Sequence, residues 1–102
     1  MNEHYRQGDV LLVRVDSLPK GSKLEKNEKD IVLAYGETTG HAHRISTAYA
    51  SAYQWQGDRL IEIRKVSDLT HEEHHSIRLV PGVYKLVQQR EYTPERIRTV
   101  SD

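Results

Sequence analysis

Histidine is the residue type whose placement in this chain points most directly to chemistry. Five of the six histidines fall in two short windows, the first with His41 and His43 and the second with His71, His74 and His75. Side chains two positions apart in a β-strand lie on the same face of the sheet, about 6.6 Å apart along the strand. If the fold brings the two windows together, three or four imidazoles would converge on one point.

Such a cluster predicts a site for a divalent transition metal, because histidine nitrogen suits Zn, Mn, Fe and Ni. The predicted ligands are His41, His43, His71 and His74. Neighbouring polar side chains would serve as alternative ligands or would orient an imidazole through a hydrogen bond; these are Glu72, Glu73 and His75. The absence of Cys excludes thiolate ligands and thiolate nucleophiles. A closed site with four histidines would be structural, whereas three histidines and a water would leave an open site that could be catalytic.

The string at residues 71–75 also matches H-E-x-x-H, the motif of zinc peptidases, which works only on a helix. On a helix, the face that carries His71 and His75 would also carry Asp68 and Arg78, so no apolar stripe would bury it. The context therefore argues against a metallopeptidase, and whether the chain is an enzyme at all stays open.

Composition limits the other classes of function. The chain has 102 residues, with 15 Lys plus Arg balanced by 15 Asp plus Glu, and the balance holds in each half. Since nucleic-acid binding depends mainly on surplus basic charge, the sequence argues against a nucleic-acid partner. The uninterrupted apolar run at residues 10–13 is too short for a signal peptide or a membrane span. We therefore expect one domain over residues 1–102, a cytoplasmic location and no membrane partner.

The elements that would position the histidines are predicted to be strands. Short apolar or alternating runs, separated by turn residues, predict strands at residues 9–15, 31–35, 40–45, 48–55, 59–66 and 83–92, and Ile77 and Leu79 also alternate before the turn at residues 81–82. Residues 20–30 are charged and lack periodicity, which predicts an exposed loop, and residues 56–58 predict a hairpin turn. The pattern favours a mainly β fold, a small barrel or sandwich, with an irregular or short helical tail at residues 93–102.

Several short strings together resemble a family of small, uncharacterised bacterial and phage-borne proteins. The strings are GDVLL at residues 8–12, TGHAH at 39–43, THEEH at 70–74, PGVY at 81–84 and REY at 90–92. The resemblance covers nearly the whole chain and implies no particular activity. It does imply that His71 and His74, rather than His75, belong to the motif.

A looser resemblance is to the cupins, small double-sheet barrels that hold a metal with an H-x-H pair, a glutamate and a later histidine. His41 and His43 match the H-x-H pair. Residues 46–49 contain no glutamate, and the later histidines precede the Pro-Gly turn rather than follow it. The resemblance implies a metal inside a β fold, with Glu72 or Glu73 as the carboxylate.

Two hypotheses from other classes stay open. The chain could be a non-enzymatic accessory or assembly protein of a phage or mobile element, with the histidine windows forming an interface. It would then form a homo-oligomer or bind a protein partner. Alternatively, the histidines could form a pH-responsive surface, because imidazole changes charge near neutral pH. The sequence indicates no particular small-molecule substrate.

Overall fold

Ten β-strands make up the regular structure of residues 4–36 and 38–88, which are the residues described by a computed structural model of the chain. Their bounds are β1 His4–Gln7, β2 Val10–Val15, β3 Lys23–Leu24, β4 Asp30–Tyr35, β5 Ala42–Ser46, β6 Ala50–Trp55, β7 Asp58–Ile63, β8 Ser67–His71, β9 His74–Leu79 and β10 Gly82–Gln88.

The strands form two antiparallel sheets. The six-stranded sheet has the order β1-β2-β10-β7-β6-β3, and the four-stranded sheet has the order β4-β5-β8-β9. The prediction of a mainly β fold is confirmed. Within the described residues the two sheets do not close into one barrel, so the sandwich alternative describes the architecture. No helix in this part of the chain has the length and apolar character needed to span a bilayer.

The core lies between the inner faces of the two sheets. Leu12 and Tyr84 of the six-stranded sheet and Ile31, Ile45 and Leu69 of the four-stranded sheet are at most 1 % exposed and belong to one apolar cluster. Burial of a large apolar side chain contributes about 1.5–3 kcal/mol. The two-residue period of the strands places these side chains on one face of each sheet. Two polar side chains, those of Gln7 and His43, are also buried.

Most predicted strands are present with shifted ends. The strands predicted at residues 9–15, 31–35, 40–45, 48–55 and 59–66 correspond to β2, β4, β5, β6 and β7. The predicted turn is present as Gln56 and Gly57, which have φ of 48° and 86°, as in the tight hairpin turns that need two positive φ values.

Three strands were not predicted from the sequence. Neither β1 nor β8 was predicted, and residues 20–30 were assigned wholly to a loop, whereas β3 forms there as an edge strand that pairs with β6. Polar residues dominate all three, so their apolar alternation is weak. The predicted strand at residues 83–92 is described as far as Gln88, and the predicted tail at residues 93–102 lies outside the described residues.

Candidate metal centre

Three adjacent strands of the four-stranded sheet carry the central histidines. His71, the last residue of β8, pairs directly with His74, the first residue of β9, across a tight hairpin. Strand β5 pairs with β8 so that Arg44 lies opposite Thr70, and the same register carries His43 towards His71. The ring centroids of His43 and His71 are 4.3 Å apart, and those of His71 and His74 are 4.6 Å apart.

A β-bulge gives His74 its direction. Leu69 pairs with Ile77, and His71 pairs with His74. The two pairs are therefore separated by two residues on β8 but by three on β9. Without the bulge on β9, His74 and Ile77 would point to opposite faces of the sheet. The bulge brings His74 onto the inner face, which it shares with His71 and Leu69. Bulges often redirect a side chain in this way near functional sites.

His43, His71 and His74 form one group that could hold a metal ion. One ring nitrogen from each lies within 4.8 Å of the other two. Nitrogens bound to one tetrahedral zinc are about 3.4 Å apart, given Zn–N bonds of about 2.0–2.1 Å, so an ion would draw the rings slightly together. His43 is only 3 % exposed, whereas His74 is exposed. The group therefore extends from the core to the surface.

The three histidines border a cavity of about 250 Å³ at the end of the sandwich. Both sheets contribute to its wall, which is formed by Gly8, Asp9, Tyr35, Gly36, Thr38, His41, His43, His71, Glu73 and His74. Gly8 has φ of +61°, and a Cβ added there would lie 3.0 Å from His74 Nε2 and 3.2 Å from His43 Cε1. The glycine thus allows the β1–β2 turn to approach the imidazoles closely.

His41, the remaining predicted ligand, lies beside the group rather than within it. Its Nδ1 is 3.1 Å from Glu73 Oε2, and its ring centroid is 5.8 Å from that of His71. Strand β5 begins at Ala42, so the rule that places residues two apart on one face does not extend to His41. His41 and Glu73 both line the cavity, where they could contact a ligand of the ion.

Glu72 and His75, two of the proposed alternative ligands, do not line the cavity. The carboxylate of Glu72 accepts hydrogen bonds from the Ala42 backbone N–H and from Arg44 Nη1, each at 2.9 Å. The backbone hydrogen bonds from Ala42 and from Glu72 itself, together with Arg44, lower the pKa of Glu72 to about 2. Glu72 therefore connects the β8–β9 turn to the start of β5 as an ionised group.

Two residues near the histidines were missed by the sequence analysis. Gln7, at the end of β1, is buried, and its Oε1 accepts a hydrogen bond of 2.8 Å from His43 Nδ1. Asp9 lies in the β1–β2 turn, with Oδ1 3.8 Å from His43 Nε2. Both come from the six-stranded sheet, far from the histidine windows in sequence. The one available signal was Gly8-Asp9, a turn dipeptide between two short runs that can pair as strands.

The hairpin between β8 and β9 also bears on the H-E-x-x-H string. His71 and His74 are its last and first strand residues, and Glu72 and Glu73 form its turn. The helix on which a zinc peptidase places its two histidines is absent from this segment. The string is therefore a β-hairpin, in agreement with the argument from its sequence context.

The fold and the histidine group define a small two-sheet β protein with an imidazole cluster at one end of its core. The chain belongs to a family that is described as a domain of unknown function, DUF8820, whose model matches residues 6–89. The match includes the three clustered histidines as well as Gln7 and Asp9. No curated protein and no solved structure matches the chain.

Proposed function

We propose that this protein binds one divalent transition metal ion through His43, His71 and His74. The observation that carries the proposal is the convergence of three ring nitrogens, from three strands, within 4.8 Å. Imidazole is a ligand for Zn, Mn, Fe and Ni, and three such ligands leave at least one coordination position for water or a substrate. The cavity beside the histidines offers room for either.

The carboxylates around the group favour an open site of mixed nitrogen and oxygen character. Asp9 Oδ1 is 3.8 Å from His43 Nε2, and Glu73 contacts His41 at the edge of the cavity. Carboxylate oxygens would favour Mn or Fe over a closed zinc site, and they could accept a hydrogen bond from a metal-bound water. An ion held by the three histidines would lower the pKa of such a water towards neutrality and could make it a nucleophile. If the protein is an enzyme, its reaction is metal-dependent.

The rival is a protein whose histidines only pack against one another, as in an accessory or assembly subunit. Ring contacts of 4.3–5.8 Å are also compatible with simple packing. That alternative predicts no stoichiometric metal and an oligomer or partner complex that is insensitive to chelator. The cupin-like and phage-related interpretations of the sequence remain proposals.

The test is metal stoichiometry in matched variants. Chelator-treated protein is titrated with Zn²⁺, Mn²⁺, Fe²⁺ and Ni²⁺ by calorimetry, and the bound metal is measured by elemental analysis. We expect one ion per chain in the wild type, and at least a 100-fold loss of affinity in His43→Ala, since a ligand is removed. His75→Ala is the control, because His75 adjoins the group but does not line the cavity. Equal binding by the two variants, or no binding of any of the four ions, would refute the proposal.

A further inference from the structure

Gln7 connects the six-stranded sheet to three strands of the opposite sheet. Its side-chain amide donates from Nε2 to the backbone carbonyls of Leu69 and His75, at 3.0 and 2.9 Å. Its Oε1 accepts from His43 Nδ1 at 2.8 Å. The residue is 3 % exposed, so these hydrogen bonds form where water is largely excluded and the loss of any one would be costly.

The two carbonyl partners fix the direction of this amide. A carbonyl oxygen can only accept, so the amide nitrogen of Gln7 must face Leu69 and His75, and the amide oxygen must face His43. A flipped amide would set its oxygen against two carbonyl oxygens. Because Gln7 Oε1 can only accept, His43 Nδ1 must carry a hydrogen and donate it.

The tautomer of His43 follows from this arrangement. A neutral imidazole has a hydrogen on one nitrogen and a lone pair on the other. With the hydrogen on Nδ1, the lone pair of His43 lies on Nε2, the nitrogen that approaches Asp9 in the cavity wall. A metal ion would bind at that lone pair. In water imidazole favours the opposite tautomer, so the buried amide works against an intrinsic preference.

We propose that Gln7 is a positioning residue that holds His43 in its Nδ1–H tautomer and so prepares Nε2 to bind the metal before the ion arrives. The metal-binding part of this inference rests on the function proposed above, whereas the tautomer does not. Hydrogen bonds to the second nitrogen of a metal-binding histidine fix its orientation and raise its basicity. Here the fixing residue comes from the opposite sheet, so the site depends on how the two sheets pack.

His71 provides an internal contrast. The backbone N–H of Glu73 donates to His71 Nδ1 at 3.0 Å, so in the neutral metal-free protein the hydrogen of His71 lies on Nε2. Binding of an ion at Nε2 of His71 would require that hydrogen to move to Nδ1 and the hydrogen bond from Glu73 to break. His43 therefore already has its lone pair on Nε2, whereas His71 must change its tautomer before its Nε2 can bind an ion.

The tautomers can be observed directly in the metal-free protein. Long-range ¹H–¹⁵N correlation spectra of chelator-treated, ¹⁵N-labelled protein, at a pH where the rings are neutral, distinguish the two ring nitrogens. We expect Nδ1–H for His43 and Nε2–H for His71. An Nε2–H tautomer at His43 in the wild type would overturn the proposal, whether or not the protein binds a metal and without any variant having to fold.

Two variants extend the test to affinity. In Gln7→Leu, which removes the acceptor, we expect His43 to lose its fixed Nδ1–H tautomer and the Zn²⁺ affinity to fall about 10- to 100-fold. Tyr5→Phe is the matched control, because Tyr5 lies on the same strand and its hydroxyl accepts a hydrogen bond from Val80 N at 3.4 Å. We expect Tyr5→Phe to keep the tautomer and the affinity within about threefold. Unchanged tautomer and affinity in Gln7→Leu, or equal losses in both variants, would contradict the assignment.

Discussion

Two polar clusters of this molecule are built from opposite kinds of partner. Arg59 and Glu25 form an ion pair with two parallel hydrogen bonds, from Nε to Oε2 at 2.8 Å and from Nη2 to Oε1 at 2.9 Å. The histidine cluster (His43, His71 and His74) instead brings together three copies of the same side chain. In the ion pair each group neutralises the other. In the cluster each member offers a ring nitrogen that could bind the same cation.

The difference shows where each cluster obtains its stability. Arg59 also donates to the Val32 carbonyl at 3.0 Å, so the ion pair connects the edge of the four-stranded sheet to the six-stranded sheet with partners that belong to the chain. The histidine cluster has its buried member, His43, held by Gln7 and its open side towards a cavity. We therefore expect the ion pair to stabilise the fold near neutral pH with or without a metal ion. We expect the histidine cluster to stabilise the fold mainly when an ion is bound.

The largest expected effect is thermal stabilisation by metal. A ligand at 100 times its Kd stabilises the folded state by about 2.7 kcal/mol, which for a domain of this size corresponds to roughly 10–20 °C in the melting temperature. Calorimetric melting curves with chelator and with excess Zn²⁺ measure it. We expect the wild type and Arg59→Met to show this shift and His71→Ala to lose it. A shift of the same size in His71→Ala would mean that the ion binds elsewhere.

Disruption of the ion pair should come next in size. Arg59→Met leaves the Glu25 carboxylate, whose side chain is 12 % exposed, without its cation. Breaking a fully buried pair costs about 3–5 kcal/mol; because Arg59 is partly exposed, we expect about 2 kcal/mol in the free energy of unfolding of metal-free protein. The measurement is urea denaturation. The control is Arg78→Met, since Arg78 and Asp68 are 76 % and 55 % exposed at 3.8 Å and should contribute less than about 0.5 kcal/mol.

A smaller effect separates backbone strain from damage to the histidine cluster. Gly8 and Gly57 both have positive φ, of +61° and +86°, but an added Cβ at Gly57 would contact nothing within 4 Å, whereas at Gly8 it would meet His74 and His43. We expect Gly8→Ala and Gly57→Ala each to lose about 1–2 kcal/mol of stability. Only Gly8→Ala should also weaken Zn²⁺ binding, measured by calorimetric titration. Equal affinities in the two variants would show that the β1–β2 turn does not border the ion.

The sequence predicted the part of the histidine cluster that depends on local regularity. The spacing of the histidines and the strand pattern around them were visible, and the three residues that lie together are among the predicted ligands. His41 lies aside because strand β5 begins one residue after it. A bulge between β8 and β9, which no spacing rule reveals, determines the orientation of His74.

The contributions from the opposite sheet could not be predicted in the same way. Gln7 occupies an inward position of β1, where the burial pattern alternates, but a glutamine there hides the apolar signal of the strand. Its role depends on Leu69 and His75, more than sixty positions away in sequence. The ion pair of Arg59 and Glu25 could not be predicted either. Each is a single charged residue among other charged residues, and nothing in the sequence shows that the two form a pair.

The smallest expected effect is the pH dependence of the ion pair. Hydrogen bonds from Arg59 are the main reason why the pKa of Glu25 lies below its ordinary value of 4.5; burial opposes this shift, and Gln54 supports it. A carboxyl group whose pKa is lower in the folded state contributes stability above its unfolded pKa and loses it as the pH falls through the folded value. In Arg59→Met this contribution is mostly absent. We therefore expect the difference in unfolding free energy between wild type and Arg59→Met to be largest at pH 6 and to shrink towards pH 3. Urea denaturation of metal-free protein across this range measures the difference. A difference that stays constant with pH would mean that Arg59 stabilises the fold through the Val32 carbonyl and its packing rather than through the charge of Glu25.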